Sequence, residues 1–323
     1  MSAAADSSNN DIRRLSRIAL WAGFALLVAA PFIGLYPIFM MKALCYAIFA
    51  CAFNLLLGYT GLLSFGHAAY LGAAAYATGW LVRSAGWSPE LGVLAGTLIA
   101  GACGLAVGLI AIRRQGIYFA MVTLAMAQMI YFVFLQAPFT GGEDGLQGVP
   151  RGKLFGLLSL ADDKVLYYVV LAVFVAVFLF IIRIVHSPYG QVLKAIRENE
   201  PRAVSLGYDV DRYKLLAFVL STAIAGLAGS MKTLVLGFAS LTDAHWSLSG
   251  EVVLMTLLGG MGTFAGPVIG AFTIIGLQNF LADQVGSWIN VIIGVIFVVC
   301  VIAFRKGFVG ELLAWLQRRK AAK

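Results

Sequence analysis

The sequence predicts an all-α fold: a polytopic integral membrane helical bundle with about ten transmembrane segments, one of them short or broken. Three observations carry that prediction. Of 323 residues, 61% are hydrophobic and only 12% are charged, with a mean hydropathy of +0.91, and a soluble domain of this length needs more charge to cover its surface. Apolar runs long enough to cross a bilayer recur along the chain. The basic residues fall in short clusters between those runs, so the net charge of +8 reads as cytoplasmic loops and not as a nucleic-acid surface.

A spanning helix takes about 20 largely apolar residues. That rule predicts helices near 18–36, 40–57, 62–82, 91–112, 117–136, 165–185, 214–236, 264–282 and 288–304. The polar tail 1–17 carries Arg13, Arg14 and Arg17 and no A-x-A-like cleavage site follows it, so the first run is expected to be a retained helix with its start inside. Arg113 and Arg114 mark the next inward end. The long polar loop 186–213 follows, with Lys194, Arg197, Arg202 and Arg212. A tenth apolar piece, 248–260 ("LSGEVVLMTLLGG"), is too short to span comfortably. If it crosses, the basic tail 305–323 also faces the cytoplasm; if it is re-entrant, that tail lies outside, against the positive-inside tendency. Residues 18–304 are therefore read as one membrane domain whose eighth segment is short or broken.

Two loops stand out. Residues 137–164 face outside in this topology and are Gly-rich with mixed charge. Residues 186–213 face inside and read as amphipathic and helical: Ser187-Pro188 starts a helix, and Val192, Ile196, Ala203 and Leu206 offer one apolar side. A two-sided helix of this kind is a docking element. There is also an internal echo. "LLGYTGLLSF" at 56–65 resembles "LLGGMGTF" at 257–264, both on the cytoplasmic side, as in transporters built from paired halves.

Candidate functional residues are few. His67 lies in an apolar stretch with Ser64, Ala68 and Gly72 at fourfold spacing, a small-residue stripe that admits a neighbouring helix. The residues favour an interhelical hydrogen bond at His67 over a substrate contact. Asn54, Thr60, Thr123, Gln128 and Glu251 are the other polar groups at or near membrane depth, where such groups face a bundle interior or a watery path. For Glu251 the outer interface is the favoured location. In "TGGEDGLQG", Gly141, Gly142, Glu143 and Asp144 read as a surface turn, with an outer docking or gating loop as the functional alternative; the ligand spacing of a calcium loop is absent. Cys45, Cys51, Cys103 and Cys300 lie in apolar segments without CxxC spacing, and neither a metal site nor a cofactor is expected. No HExxH, GxSxG or GxxxxGK[ST] occurs, so no catalytic residue is assigned and the chain has no P-loop for ATP.

"GYTGLLSFGHAAYLGAAAYATG", "GIYFAMVTLAMAQMIYFVF", "TGGEDGLQGVP", "SPYGQVLKAIRENEPRAVSLGYDVDRYKLLAFVLS" and "LLGGMGTFAGPVIGAF" occur in this order. Together they resemble the permeases of branched-chain amino acid ABC importers, of the LivM type, from about residue 40 to 304. The resemblance implies an inner-membrane subunit that pairs with a second, related permease. Two cytoplasmic ATPase subunits, which carry ATP and Mg, and a periplasmic substrate-binding protein complete the importer. It also implies that 186–213 is the ATPase-coupling segment, with the family pattern E-A-A-x-x-x-G. Here "PRAVSLG" puts Pro201 where that pattern has Glu; Glu200 lies just before it, and Ala203 and Gly207 keep their places. Glu198, Glu200 and Arg202 would then pair with charges on the ATPase. Proline in a first helical turn is sterically acceptable and marks a helix start.

The implied function is import of branched-chain or other hydrophobic amino acids by alternating access. Similar permeases move urea, short amides or aromatic acids. An ion-coupled secondary transporter is the alternative of another class. It would show ionisable residues at mid-membrane, where this chain offers Glu251 and His67 at best, with Lys232 and Asp283 near predicted helix ends.

Overall fold

The computed structural model describes residues 23–32, 34, 36–156, 158–303, 307–308 and 310–311. The expected tail 1–17, the first residues 18–22 of the first expected helix and most of the basic tail 305–323 lie outside these residues. The described chain is almost wholly helical. In order, the helices are α1 (Gly23–Phe32), α2 (Pro37–Thr60), α3 (His67–Arg83), α4 (Pro89–Ala111), α5 (Ile117–Gln136), α6 (Asp163–His186), α7 (Pro188–Glu198), α8 (Glu200–Ser205), α9 (Val210–Leu236), α10 (Trp246–Gly259), α11 (Gly266–Val285) and α12 (Ile289–Ala303). The loop between α5 and α6 adds a two-residue hairpin, Lys153–Leu154 against Leu158–Ser159.

Helices α2, α4, α5, α6 and α9 are long and apolar enough to cross a membrane, and α1, α10, α11 and α12 contribute shorter apolar helices. With the 17 residues of α3 they account for the ten expected segments. Proline opens α2, α4, α7 and α11 in the first turn, where its missing N–H costs nothing. The expected short segment is α10, whose 14 residues reach only about 21 Å at 1.5 Å per residue, against a hydrocarbon core of about 30 Å. The chain before it is a 3-10 turn, Leu241–Ala244, with Leu241, Asp243 and Ala244 buried. Non-helical backbone at such a depth is tolerated when protein covers it. Helix α3 supplies the cover: a Cβ at Gly72 would lie 2.6 Å from the Ala244 Cβ.

Helix α2 is the axis, with 89% of its apolar span buried, whereas α4 and α5 bury only 28% and 22% of theirs. Helix α9 lies against α2, α3 and α4. Glycines set those spacings. A Cβ at Gly226 would meet the Ala100 Cβ at 2.2 Å, one at Gly104 the Thr222 Oγ1 at 1.9 Å, and one at Gly229 the Leu71 carbonyl oxygen at 2.1 Å. Small residues permit such close backbone approach where no hydrophobic drive separates helix from lipid.

Two boundaries differ from expectation. The helix predicted from residue 62 begins at His67, because Gly61 takes the left-handed conformation (φ 77) that caps α2, and the following residues through Gly66 are irregular. Ser64 is therefore off the helix, and the Ser64–Ala68–Gly72 stripe does not exist as one face. The segment 186–213 is not one helix but two, broken at Asn199 (φ −157), whose side chain caps α8. Ile196 and Ala203 are buried with Val210 in a small cluster that Val192 flanks. Leu206 is 67% exposed and is no part of that apolar side.

Candidate functional site

The end of the bundle that carries α7 and α8 brings the two echoed turns together. In the alignment of LLGYTG with LLGGMG, Gly61 corresponds to Gly262, and both are left-handed, with φ 77 and φ 75. Asn54, one turn before Gly58 on α2, spans the gap. Its Nδ2 donates to the Thr263 carbonyl at 2.9 Å, and its Oδ1 accepts from the Gly262 N–H at 2.9 Å. A Cβ at Gly58 would lie 2.8 Å from the Gly262 nitrogen, so the contact requires glycine.

Helix α7 docks on this junction. Ser187 caps it, accepting from the Gly190 N–H at 3.3 Å and donating to the Ile184 carbonyl at 2.6 Å, so α6 turns sharply into α7. Leu193 and Ile196 face inward, and Arg197 Nη1 donates to the Gly58 carbonyl. The His186 and Phe264 rings stack with centroids 5.4 Å apart. Tyr189 stacks on Tyr213 and donates to its carbonyl at 3.0 Å, and burial pushes the Tyr189 phenol pKa up.

Helix α8 opens with Pro201 in its first turn and Asn199 Oδ1 accepting from the Arg202 N–H at 3.1 Å. Gly207, left-handed at φ 87, ends it, its N–H donating to the Val204 carbonyl at 2.9 Å. Glu200 is committed inside the chain: Lys214 Nζ lies 2.6 Å and Gln115 Nε2 3.1 Å from its Oε1. Ala203 is buried, while Glu198, Arg202 and Gly207 are exposed, beside Val204 at 57% and Leu206 at 67% exposure.

His67 is fully buried at the start of α3. Ser221 on α9 donates its one proton to the Ala52 carbonyl at 2.5 Å, so its oxygen accepts from His67 Nε2 at 2.8 Å. That assigns the proton to Nε2 and leaves Nδ1 without a partner. Phe53, Tyr70 and Phe218 surround the imidazole edge-on. The backbone N–H of Ala68 donates to Ser249 Oγ on α10 at 2.9 Å, so a side chain of α10 satisfies one free N–H at the start of α3. His67 is thus a hydrogen-bonded packing residue among three helices. Ser221→Ala is expected to cost about 1–3 kcal/mol, because either neutral tautomer of His67 then keeps an unpaired N–H. His67→Phe is expected to cost less, since Ser221 keeps its bond to Ala52. Thermal unfolding of the purified protein ranks the two, and the reverse order would mean that packing of the imidazole ring outweighs its hydrogen bond.

The remaining expected residues do not gather. Thr60 bonds back to the Leu56 carbonyl at 2.5 Å, Ser64 accepts from the Gly66 N–H at 3.3 Å, and Gln128 is half-buried on α5. Glu251, half-buried in the second turn of α10, accepts from Gln278 at 3.2 Å. Glu143 and Asp144 are exposed in a 3-10 turn that Gly141 and Gly142 enter with positive φ. The next residues pair with the start of the α9–α10 connection through the Leu146–Ala239 bridge. One pair escaped sequence reasoning. Lys232, expected near a helix end, is buried and bonded to Asp243 of the 3-10 turn, with its ammonium 5.5 Å from the centre of the Tyr46 ring. No group of acidic, histidine or cysteine side chains suited to a metal occurs among the described residues.

A family model described as "Branched-chain amino acid transport system / permease component" matches residues 36–301. The high-affinity branched-chain amino acid transport system permease proteins LivM of Salmonella typhimurium and Escherichia coli are each 28% identical over 293 residues, 83% of this chain and 69% of theirs. The ribose import permease protein RbsC of Bacillus subtilis is 28% identical over 197 residues, 56% of this chain and 58% of that relative. No solved structure matches significantly.

Proposed function

This chain belongs to the family of permease components of branched-chain amino acid transport systems, and from that premise we propose that it is one membrane subunit of an ATP-driven importer of branched-chain or other hydrophobic amino acids. A second, related permease lines the path with it, two ATPase subunits bind its α7–α8 end, and a substrate-binding protein docks at the opposite end. The α7–α8 end then faces the cytoplasm, with both termini, in the bacterial inner membrane. The chain itself holds no cofactor; ATP and Mg belong to the ATPase subunits.

The observation that carries this reading is the bond from Arg197 on α7 to the Gly58 carbonyl, at the junction of the two glycine turns. A load on α7 reaches the ends of α2, α10 and α11 through that bond and through the His186–Phe264 stack beside it. Arg202 and Val204 on α8, with Leu206 just after it, leave charged and apolar surface exposed for docking, whereas Glu200 is engaged by Lys214 within the chain. Alternating access follows if ATP binding favours one of two positions of α7, since an effector shifts an equilibrium only by its differential affinity for the two states. The absence of side chains at Gly58 on α2 and at Gly262 lets the two segments approach closely.

The test is reconstitution with the ATPases, partner permease and binding protein. Arg197→Ala is expected to keep ATP hydrolysis and lower uptake about tenfold, the equivalent of one charge-assisted hydrogen bond. Uptake equal to wild type would remove α7 as the transmission element, and uptake driven by an ion gradient without ATPases would sink the importer reading.

A further inference from the structure

The junction of α7 with the two glycine turns encloses a cleft of about 460 Å³, lined by Gly58, Tyr59, Lys194, Arg197, Glu198 and Gly262. We propose that this cleft is a binding site for a small zwitterion of the α-amino acid class, separate from the translocation path. The volume is within the range of small-molecule sites. One wall is α7, whose Lys194, Arg197 and Glu198 stand at i, i+3 and i+4 and so share a face. The floor is backbone from Gly58 and Gly262, and the Arg197 guanidinium lies over it: Nη1 donates to the Gly58 carbonyl and would sit 3.3 Å from a Cβ at Gly262.

Two of the three charged side chains that line the cleft, Lys194 and Glu198, have no ion pair among the described residues, as is also true of Arg202 and Asp211 further along the loop. Glu200 bonds Lys214 and Asp209 bonds Arg212. Lys194 rests 6.0 Å from the centre of the Tyr59 ring. Arg197 spends Nη1 on Gly58 and keeps further N–H donors from its fork of five. The cleft therefore presents cationic donors beside one carboxylate. A purely anionic ligand meets Glu198 and a purely cationic one meets Lys194 and Arg197. A ligand with adjacent carboxylate and ammonium satisfies both, the carboxylate on Lys194 and Arg197 and the ammonium on Glu198. A phosphoethanolamine headgroup has the same chemistry, but the cleft sits at the end of α2, the most enclosed helix, and not on the outward faces of α4, α5 or α12.

This inference rests on the importer reading in one respect: imported amino acid would accumulate at this end, and an occupant bridging α7 to Gly58 would hold the transmission contact and slow turnover as product rises. The binding itself is tested without transport. The permease pair and its ATPases, without the binding protein, are placed in phosphatidylcholine nanodiscs and titrated with radiolabelled leucine. Saturable binding is expected, displaced by valine but not by isovalerate, which lacks the ammonium, or isoamylamine, which lacks the carboxylate. Lys194→Gln and Glu198→Gln, at a half-buried and an exposed position of α7, are each expected to weaken it about tenfold. Absence of saturable binding, displacement by isovalerate, or binding unchanged in both variants overturns the proposal. Displacement by phosphoethanolamine more readily than by valine overturns the amino acid in favour of a lipid headgroup. Leucine uptake by a transporter that shows no such binding would end this inference and leave the importer reading standing.

Discussion

Asp243→Ala is expected to destabilise the protein by about 3–5 kcal/mol, the cost of stranding a buried charge by removing its partner. The side chains of Lys232 and Asp243 are 8% and 5% exposed, so water cannot take over solvation of the ammonium. The loss falls on a strategic place. Asp243 Oδ2 also accepts from the Ser240 N–H at 3.4 Å and so closes the capping box of the 3-10 turn that leads into α10. Unfolding in detergent, followed by tryptophan fluorescence or thermal shift, measures the loss. The double variant Asp243→Ala with Lys232→Met should recover most of it, because an apolar replacement of a whole buried pair is often neutral or stabilising. A single variant within about 1 kcal/mol of wild type would mean that the site is far wetter than its burial implies.

Gly229→Val is expected to abolish the folded bundle. Its Cβ would lie 2.1 Å from the carbonyl oxygen of Leu71, and 2.8 Å from that residue's carbonyl carbon. The obstacle is backbone, which cannot rotate aside as a side chain can, so α9 would have to leave α3 along its length. Overpacking of this kind costs about 1–3 kcal/mol even for small groups, and more when nothing can yield. Gly276→Ala on α11 is the matched control. Its Cβ would meet nothing within 4 Å, and an alanine in a helix is favoured by about 0.5–1 kcal/mol. Monodisperse yield in detergent separates the two, and a well-folded Gly229→Val protein would show that the α3–α9 spacing is adjustable.

Much of the fold was legible because apolar length speaks directly in a membrane. Among the described residues the expected segments sit near their places, and the short one expected at 248–260 is the 14-residue α10. Boundaries set by local chemistry were partly legible. Asn199 and Pro201 mark the start of α8 in the sequence, yet the apolar positions on either side merged α7 and α8 into one element. Contacts between distant segments were not legible at all. Ser221 is 154 residues from His67, and no periodicity announces which hydroxyl an isolated histidine will meet. Lys232 and Asp243 are only 11 residues apart, but the turn that brings the chain back was hidden in what reads as an ordinary loop.

The enclosure of α2 also orders the protein's biosynthesis. Asn54 finds its partners in Gly262 and Thr263, 208 and 209 residues further along the chain. A nascent chain has neither when α2 leaves the ribosome, so α2 must first wait among lipids with an amide exposed, an expensive state for a polar group. It becomes the axis only after α9, α10 and α11 have been made and wrapped around it. Chains cut short before residue 262 should therefore insert but remain substrates for membrane quality-control proteases, with Asn54 the exposed mark of their incompleteness.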